Sequence, residues 1–206
     1  MNWNRIRYTV WAPGYDALVA VADFGRARRE SIERLHLSAG QRVLMVGAGT
    51  GLDLDHLPAG VKITAIDITD AMLARLRLRA ARLGLEIETA TMDARHLAFA
   101  AEQFDAVVMH LIIAVMPGPE LGLREAARVL APGGRVAVFD KFLANDSRAS
   151  LIRRLGNLVI KPLFSDINRR LEPLVAQTEL TIVRDTPPAY RGLYRLVTLA
   201  KPDAVR

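Results

Sequence analysis

A short apolar run, Arg42 to Val46, opens directly into Gly47-Ala48-Gly49-Thr50-Gly51. Few features constrain a chain more. A glycine-rich turn at the end of a strand lets the backbone pass close to a ligand, because glycine tolerates positive φ and carries no side chain to clash. The next strand-like run, Val61 to Ile66, ends on Asp67, where a carboxylate can accept both hydrogen bonds of a ribose diol. After a third run, Glu86 to Thr91, comes Asp93 in Thr91-Met92-Asp93-Ala94, placed to receive the amino group of an adenine. Each of these has a plain structural alternative, such as a tight turn or a helix-capping Asp. Together they describe a nucleoside-binding strand–turn–helix unit.

The remaining pattern extends that unit into a doubly covered sheet. A helix is expected from about Ala71 to Leu83, with Asp70 or Thr69 as its N-cap and Gly84 as its stop. Ala106 to Met109 is apolar throughout, as a central parallel strand should be. A helix from roughly Glu120 to Leu130 runs into Pro132-Gly133-Gly134, and Arg135 to Phe139 makes a fifth strand closing on Asp140. The tail differs. Leu180 to Arg184 and Leu193 to Leu199 are joined by a link too short for a crossover helix, so the pair should be antiparallel. The expected fold class is therefore α/β: a mainly parallel seven-stranded sheet, antiparallel at its C-terminal strand, with helices on both faces.

One domain should hold all 206 residues. Its parts are N-terminal amphipathic or lid helices over 1–40, a core over 41–140, and a helical insertion with the terminal hairpin over 141–206. The chain has no cysteine, which excludes disulfides, thiolate metal sites and a Cys nucleophile. His36, His56, His96 and His110 stand singly, without zinc-ligand spacing, so no metal is expected. A net charge of +6 favours anionic partners, an acidic lipid surface or nucleic acid, although ordinary arginine-rich composition accounts for it equally. Asp16 and Asp23 interrupt the early apolar stretch, so no secretory signal is expected, and the longest apolar runs are far too short to span a bilayer.

The residues in this pattern resemble the class I S-adenosylmethionine-dependent methyltransferases. Val43-Leu44-Met45-Val46-Gly47-Ala48-Gly49-Thr50-Gly51 is similar to the family's first motif, and Asp67-Ile68-Thr69-Asp70-Ala71-Met72-Leu73 to its second. Arg128-Val129-Leu130-Ala131-Pro132-Gly133-Gly134-Arg135 resembles the turn before its fifth strand. The dehydrogenase alternative needs a third glycine where Leu52 stands, and lacks the terminal hairpin. The resemblance covers about Gln41 to Phe139. It implies S-adenosylmethionine as cofactor, held by Gly47, Gly49, Gly51, Asp67, Ile68, Met72, Asp93 and Ala94, with Ile68 and Met72 flanking the adenine. Met45 departs from the pattern, since the family usually has an acidic residue there, near the cofactor's amino group.

The same topology implies where an acceptor binds. The contributing stretches supply Tyr8, Trp11 and Tyr15; His110; Asp140, Lys141 and Arg148; and Tyr190, Arg191 and Tyr194. Aromatic faces attract an ammonium that gains methyl groups, while lysine and arginine grip a phosphate. Trp3, Ile6, Val10 and Trp11 recur at helical spacing with Arg5 and Arg7 between them, the composition of an interfacial membrane helix or of a lid over the cofactor. The basic, amphipathic stretch from Ala144 to Thr178 reads as a membrane or substrate element, or as a helix packed on the sheet.

Taken whole, the chain resembles the soluble bacterial phosphatidylethanolamine N-methyltransferases. Besides the N-terminal stretch, the likeness rests on Val108 through Pro117 and on Phe139 to Leu143. That implies a monomer on the cytoplasmic face of the membrane, methylating a phospholipid amine, with Tyr8, Tyr15 and His110 as catalytic residues. Substrate contacts are expected from Tyr8, Trp11, Tyr15, His110, Lys141, Arg148, Tyr190 and Tyr194, with His110 and Lys141 on the phosphate. Two alternatives stand beside it: a C-methyltransferase of ubiquinone or menaquinone biosynthesis, and a basic nucleic-acid-binding module. The second lacks any recognition motif, and its arginines do not form one stripe.

Overall fold

The computed structural model describes residues 24–143, 169–186 and 194–204. Tyr8, Trp11, Tyr15, Arg148, Tyr190, Arg191 and the N-terminal stripe from Trp3 to Trp11 lie outside these residues. Within them the chain runs α1 (Gly25–Glu33), β1 (Arg42–Val46), β2 (Lys62–Asp67), α2 (Asp70–Leu83), β3 (Ile87–Thr91) and β4 (Phe104–His110). It continues through α3 (Pro119–Val129), β5 (Leu130–Lys141), a single turn α4 (Glu172–Val175), β6 (Thr181–Asp185) and β7 (Tyr194–Ala200).

The seven strands form one sheet in the order β3-β2-β1-β4-β5-β7-β6. β1 to β5 pair in parallel, β7 runs antiparallel to β5, and β6 antiparallel to β7. The strand order reverses between β1 and β4, and in such sheets ligands bind outside the carboxyl ends at that switch point. Both the glycine turn and the residues after β4 leave the sheet there.

Alternating side chains divide the core in two. Leu44, Val46, Val107, Met109, Val136 and Val138 face α3 and α4, where Leu123, Ala126 and Val175 cover them. Val43, Met45, Ala106, Val108 and Ala137 face the other way, beneath Leu73, Leu76 and Ala80 of α2. Met72, Leu73, Leu76 and Ala80 recur at helical spacing and are buried, which is why α2 forms and lies flat. It stops at Gly84, in the left-handed conformation, with the Leu85 N–H returned to the Ala80 carbonyl at 2.9 Å. α1 sits on the same face further along, where Phe24 and Ala27 meet Phe139 and Leu196.

One expected boundary moves. Pro132-Gly133-Gly134 does not separate helix from strand, because β5 begins at Leu130, immediately after α3. Leu130 pairs with Phe104 and Arg135 with Ala106, so the intervening residues loop out of register as a bulge. Met45 is fully buried among apolar neighbours.

Candidate active site

A cleft opens at the switch point, lined by Gly47, Gly49, Asp67, Ile68, Met72, Met92, Asp93, Ala94, Arg95 and the stretch from His110 to Pro117, Ile113 and Ala114 excepted. Seven of the eight expected cofactor residues are thus brought together. Gly51, the eighth, stands behind the turn: a Cβ there would meet the Leu76 side chain at 2.9 Å and Leu54 at 3.0 Å, so its role is close packing. Gly47 serves the cleft differently. Its φ is +65°, and a Cβ would lie 2.7 Å from Ile112.

Asp67 holds the turn in shape. Its two oxygens accept the Gly49 N–H at 3.0 Å and the Thr69 N–H at 2.9 Å. A carboxylate has about four acceptor positions, so it can take a diol hydroxyl beside these N–H groups. Burial pushes this carboxyl above the usual carboxylate value, against the pull of its N–H bonds. A Cβ on Gly49 would meet no protein atom within 4 Å, so that side of the turn faces open cleft. These features fit S-adenosylmethionine, for which Asp67 would hold the ribose and Ile68, Met72 and Asp93 would surround the base.

Asp93 carries a partner that its spacing did not announce. Arg95 grips it as a fork, Nε to Oδ1 at 3.0 Å and Nη2 to Oδ2 at 2.7 Å, while the Arg95 N–H caps Oδ1 at 3.0 Å. The guanidinium holds this carboxyl below the usual range. The opposite wall is the segment after β4. Leu111 adopts a positive φ of 58°, which turns the chain so that Ile112 lies over Gly47. Asp140, buried at the end of β5, accepts the Ala114 N–H at 2.8 Å and the Lys141 N–H at 2.7 Å. Burial raises its pKa against the pull of those bonds. Arg169 donates to the carbonyls of Ile113 and Met116. The wall is therefore fastened from behind.

His110 lines the cleft, but the phosphate contact expected of its ring N–H needs correction. Nδ1 lies 2.7 Å from Asp53 Oδ1 and Nε2 3.0 Å from Ser31 Oγ, so both ring nitrogens are already engaged within the protein. Lys141 and Tyr194 pair across β5 and β7, with the lysine ammonium 5.6 Å from the centre of the tyrosine ring. Tyr194 and Leu111 pack on the same small cluster, and Leu111 reaches the cleft.

A mainly parallel sheet with this strand order and a cleft at the glycine turn is the fold of the class I S-adenosylmethionine-dependent methyltransferases, and the chain belongs to that family. The family described as "Methyltransferase domain" matches residues 44–138. Within it the chain is similar to the phosphatidylethanolamine N-methyltransferase of Cereibacter sphaeroides, 36% identical over 162 residues, 77% of this chain and 80% of that one. It is also 36% identical to the demethylmenaquinone methyltransferase of Thermus thermophilus, over 63% of this chain and 61% of the relative. A solved Haemonchus contortus phosphoethanolamine N-methyltransferase 2, in complex with S-adenosyl-L-methionine, shares the fold with a TM-score of 0.70 at 14% identity. The likeness covers 86% of this chain and 53% of that one.

Proposed function

We propose that this methyltransferase acts on the amine of phosphatidylethanolamine and then on its mono- and dimethyl derivatives, yielding phosphatidylcholine at a membrane surface. The observation that carries this reading is the Lys141–Tyr194 pair beside the cleft. There a tyrosine face already holds a cation, and Tyr194 packs on the same cluster as Leu111, which lines the cleft that Lys141 and Tyr194 themselves do not line. The similarity to the Cereibacter enzyme, over most of both chains, supports it.

When bound, the cofactor supplies an electrophilic methyl group on a sulfonium. Transfer would place that methyl on the amine nitrogen in exchange for one proton, with the electron pair of the C–S bond left on sulfur. The protein's task is alignment and exclusion of water. Asp67 and Asp93 fix the two ends of the nucleoside, and Ile112, Val115 and Met116 close the apolar side. Lys141 would turn from the ring to the phosphate, and the Tyr194 face would take the ammonium as it gains methyls. His110 would act from the cleft wall without touching the phosphate. The N-terminal stripe, Arg148 and Tyr190 would complete the acceptor site and hold the membrane.

A specific observation favours a second reading, methylation of a quinone precursor: the similarity to the Thermus enzyme. Labelled methyl transfer separates the two. Incorporation into phosphatidylethanolamine vesicles and not into demethylmenaquinone is expected; the reverse would overturn the proposal.

A further inference from the structure

Asp53 is two residues past the glycine turn, is almost fully buried, and has no part in the chemistry above. Its Oδ1 receives Arg28 Nη1 at 2.7 Å and His110 Nδ1 at 2.7 Å. Ser31, 2% exposed, closes the chain on His110 Nε2. Three separate elements meet here: α1 through Arg28 and Ser31, the connection after the glycine turn through Asp53, and the end of β4 through His110.

The protonation states follow from the partners. Burial alone would raise the Asp53 carboxyl, but His110 and Arg28 outweigh it and hold the group well below the usual range. An ionised carboxylate only accepts, so Nδ1 of His110 carries a proton and donates it. The order Ser–His–Asp resembles a hydrolytic triad, yet Ser31 is buried and does not line the cleft, so no substrate carbonyl meets it.

We propose that Asp53 and Ser31 are positioning residues of the methyl-transfer cleft. They fix the His110 ring against its wall and fasten α1 to the glycine turn, so that cofactor affinity depends on two side chains that do not line the cleft. The physical reason is that a buried polar network has few alternative arrangements. The three bonds, Arg28 and His110 on Asp53 and Ser31 on His110, specify one geometry, and with one partner removed the ring and the turn are free to move. Gly47, Gly49 and His110 line the cleft together, so a cofactor bound there would have to remove that freedom again. The proposal rests on the cofactor site alone and holds for any acceptor.

The test uses the full chain and S-adenosylhomocysteine. Calorimetry should show Asp53→Asn binding roughly ten- to a hundredfold more weakly, and Ser31→Ala about three- to tenfold more weakly. Long-range proton–nitrogen spectra of the imidazoles provide a readout that mere stability would not move. His110 should show Nδ1 protonation in the parent and a shifted tautomer balance in Asp53→Asn. A folded Asp53→Asn with parental affinity and an unchanged tautomer overturns the proposal, even if its melting temperature falls. Should that variant fail to fold, Ser31→Ala decides, and affinity within about twofold of the parent overturns it.

Discussion

The cofactor cleft and the region proposed for the acceptor are built by different means. At the cofactor end, backbone does most of the work: a turn pinned by Asp67, an N–H cap on Asp93, and a wall whose N–H and carbonyl groups are held by Asp140 and Arg169. At the proposed acceptor region, Lys141 and Tyr194 face each other across an antiparallel pair, and a side-chain contact, the ammonium over the ring, marks the place. A site made of backbone is fixed by chain geometry and suits one invariant ligand. One made of side chains on strand ends can be changed residue by residue, which is how a single fold serves phospholipids and quinones.

The contrast can be broken at its backbone end first. Gly47→Ala places a methyl 2.7 Å from Ile112 at a φ of +65°. Strain of about 1–2 kcal/mol and overpacking of about 1–3 kcal/mol should together push the wall out of place. S-adenosylhomocysteine affinity should drop by more than about a hundredfold by calorimetry. Normal affinity would mean that the wall yields freely.

Asp67→Ala should have the next largest effect, leaving ribose hydroxyls unpaired at a cost of ~1–3 kcal/mol, about ten- to a hundredfold in affinity. Its titration gives a finer check. The Asp67 pKa is raised, so as pH falls it protonates before an ordinary carboxylate and cofactor affinity declines first there. Asp93, held low by Arg95, contributes its loss only at lower pH. The effect of Asp67 on stability has the opposite sign: a group that binds its proton more tightly when folded adds stability as pH falls through the raised value. Calorimetric titrations across acid pH should show affinity lost while the Asp67 contribution to stability grows. Asp67→Asn should abolish that first loss.

At the side-chain end, Lys141→Ala should lower activity on phosphatidylethanolamine by roughly tenfold, through loss of one charge-assisted contact, with S-adenosylhomocysteine affinity unchanged. Full activity with a lowered melting temperature would make Lys141 a strand-end support.

How far the sequence could be read follows the same division. Strands β1 to β4, α2 with its Gly84 stop, and the antiparallel tail were legible because each rests on local periodicity or a local turn signal. That seven of the expected cofactor residues would line one cleft was legible because they follow strand ends at short, regular spacing. Arg95 was missed, since a fork between residues two apart is set by rotamer and not by pattern. The wall from Ile112 to Pro117 was recognised only as a likeness and not as a lining, because its shape depends on Leu111 in a conformation that leucine rarely adopts. The hydrogen bonds of His110 were illegible. Their partners lie 57 and 79 residues away, so the ring was expected to face a phosphate, whereas both its nitrogens are engaged within the protein. Pro132-Gly133-Gly134 looked like a boundary and is a bulge, because pairing with β4 begins before it.

The claim that this family member methylates a phospholipid amine is tested most directly by its product. A bacterial host lacking phosphatidylcholine, expressing this chain, should accumulate mono- and dimethylphosphatidylethanolamine and phosphatidylcholine, seen by mass spectrometry as successive additions of one methyl group. The Asp67→Ala variant, expressed equally, should make far less of each. An unchanged phospholipid profile together with a methylated quinone would contradict the account and assign the chain to the quinone reading.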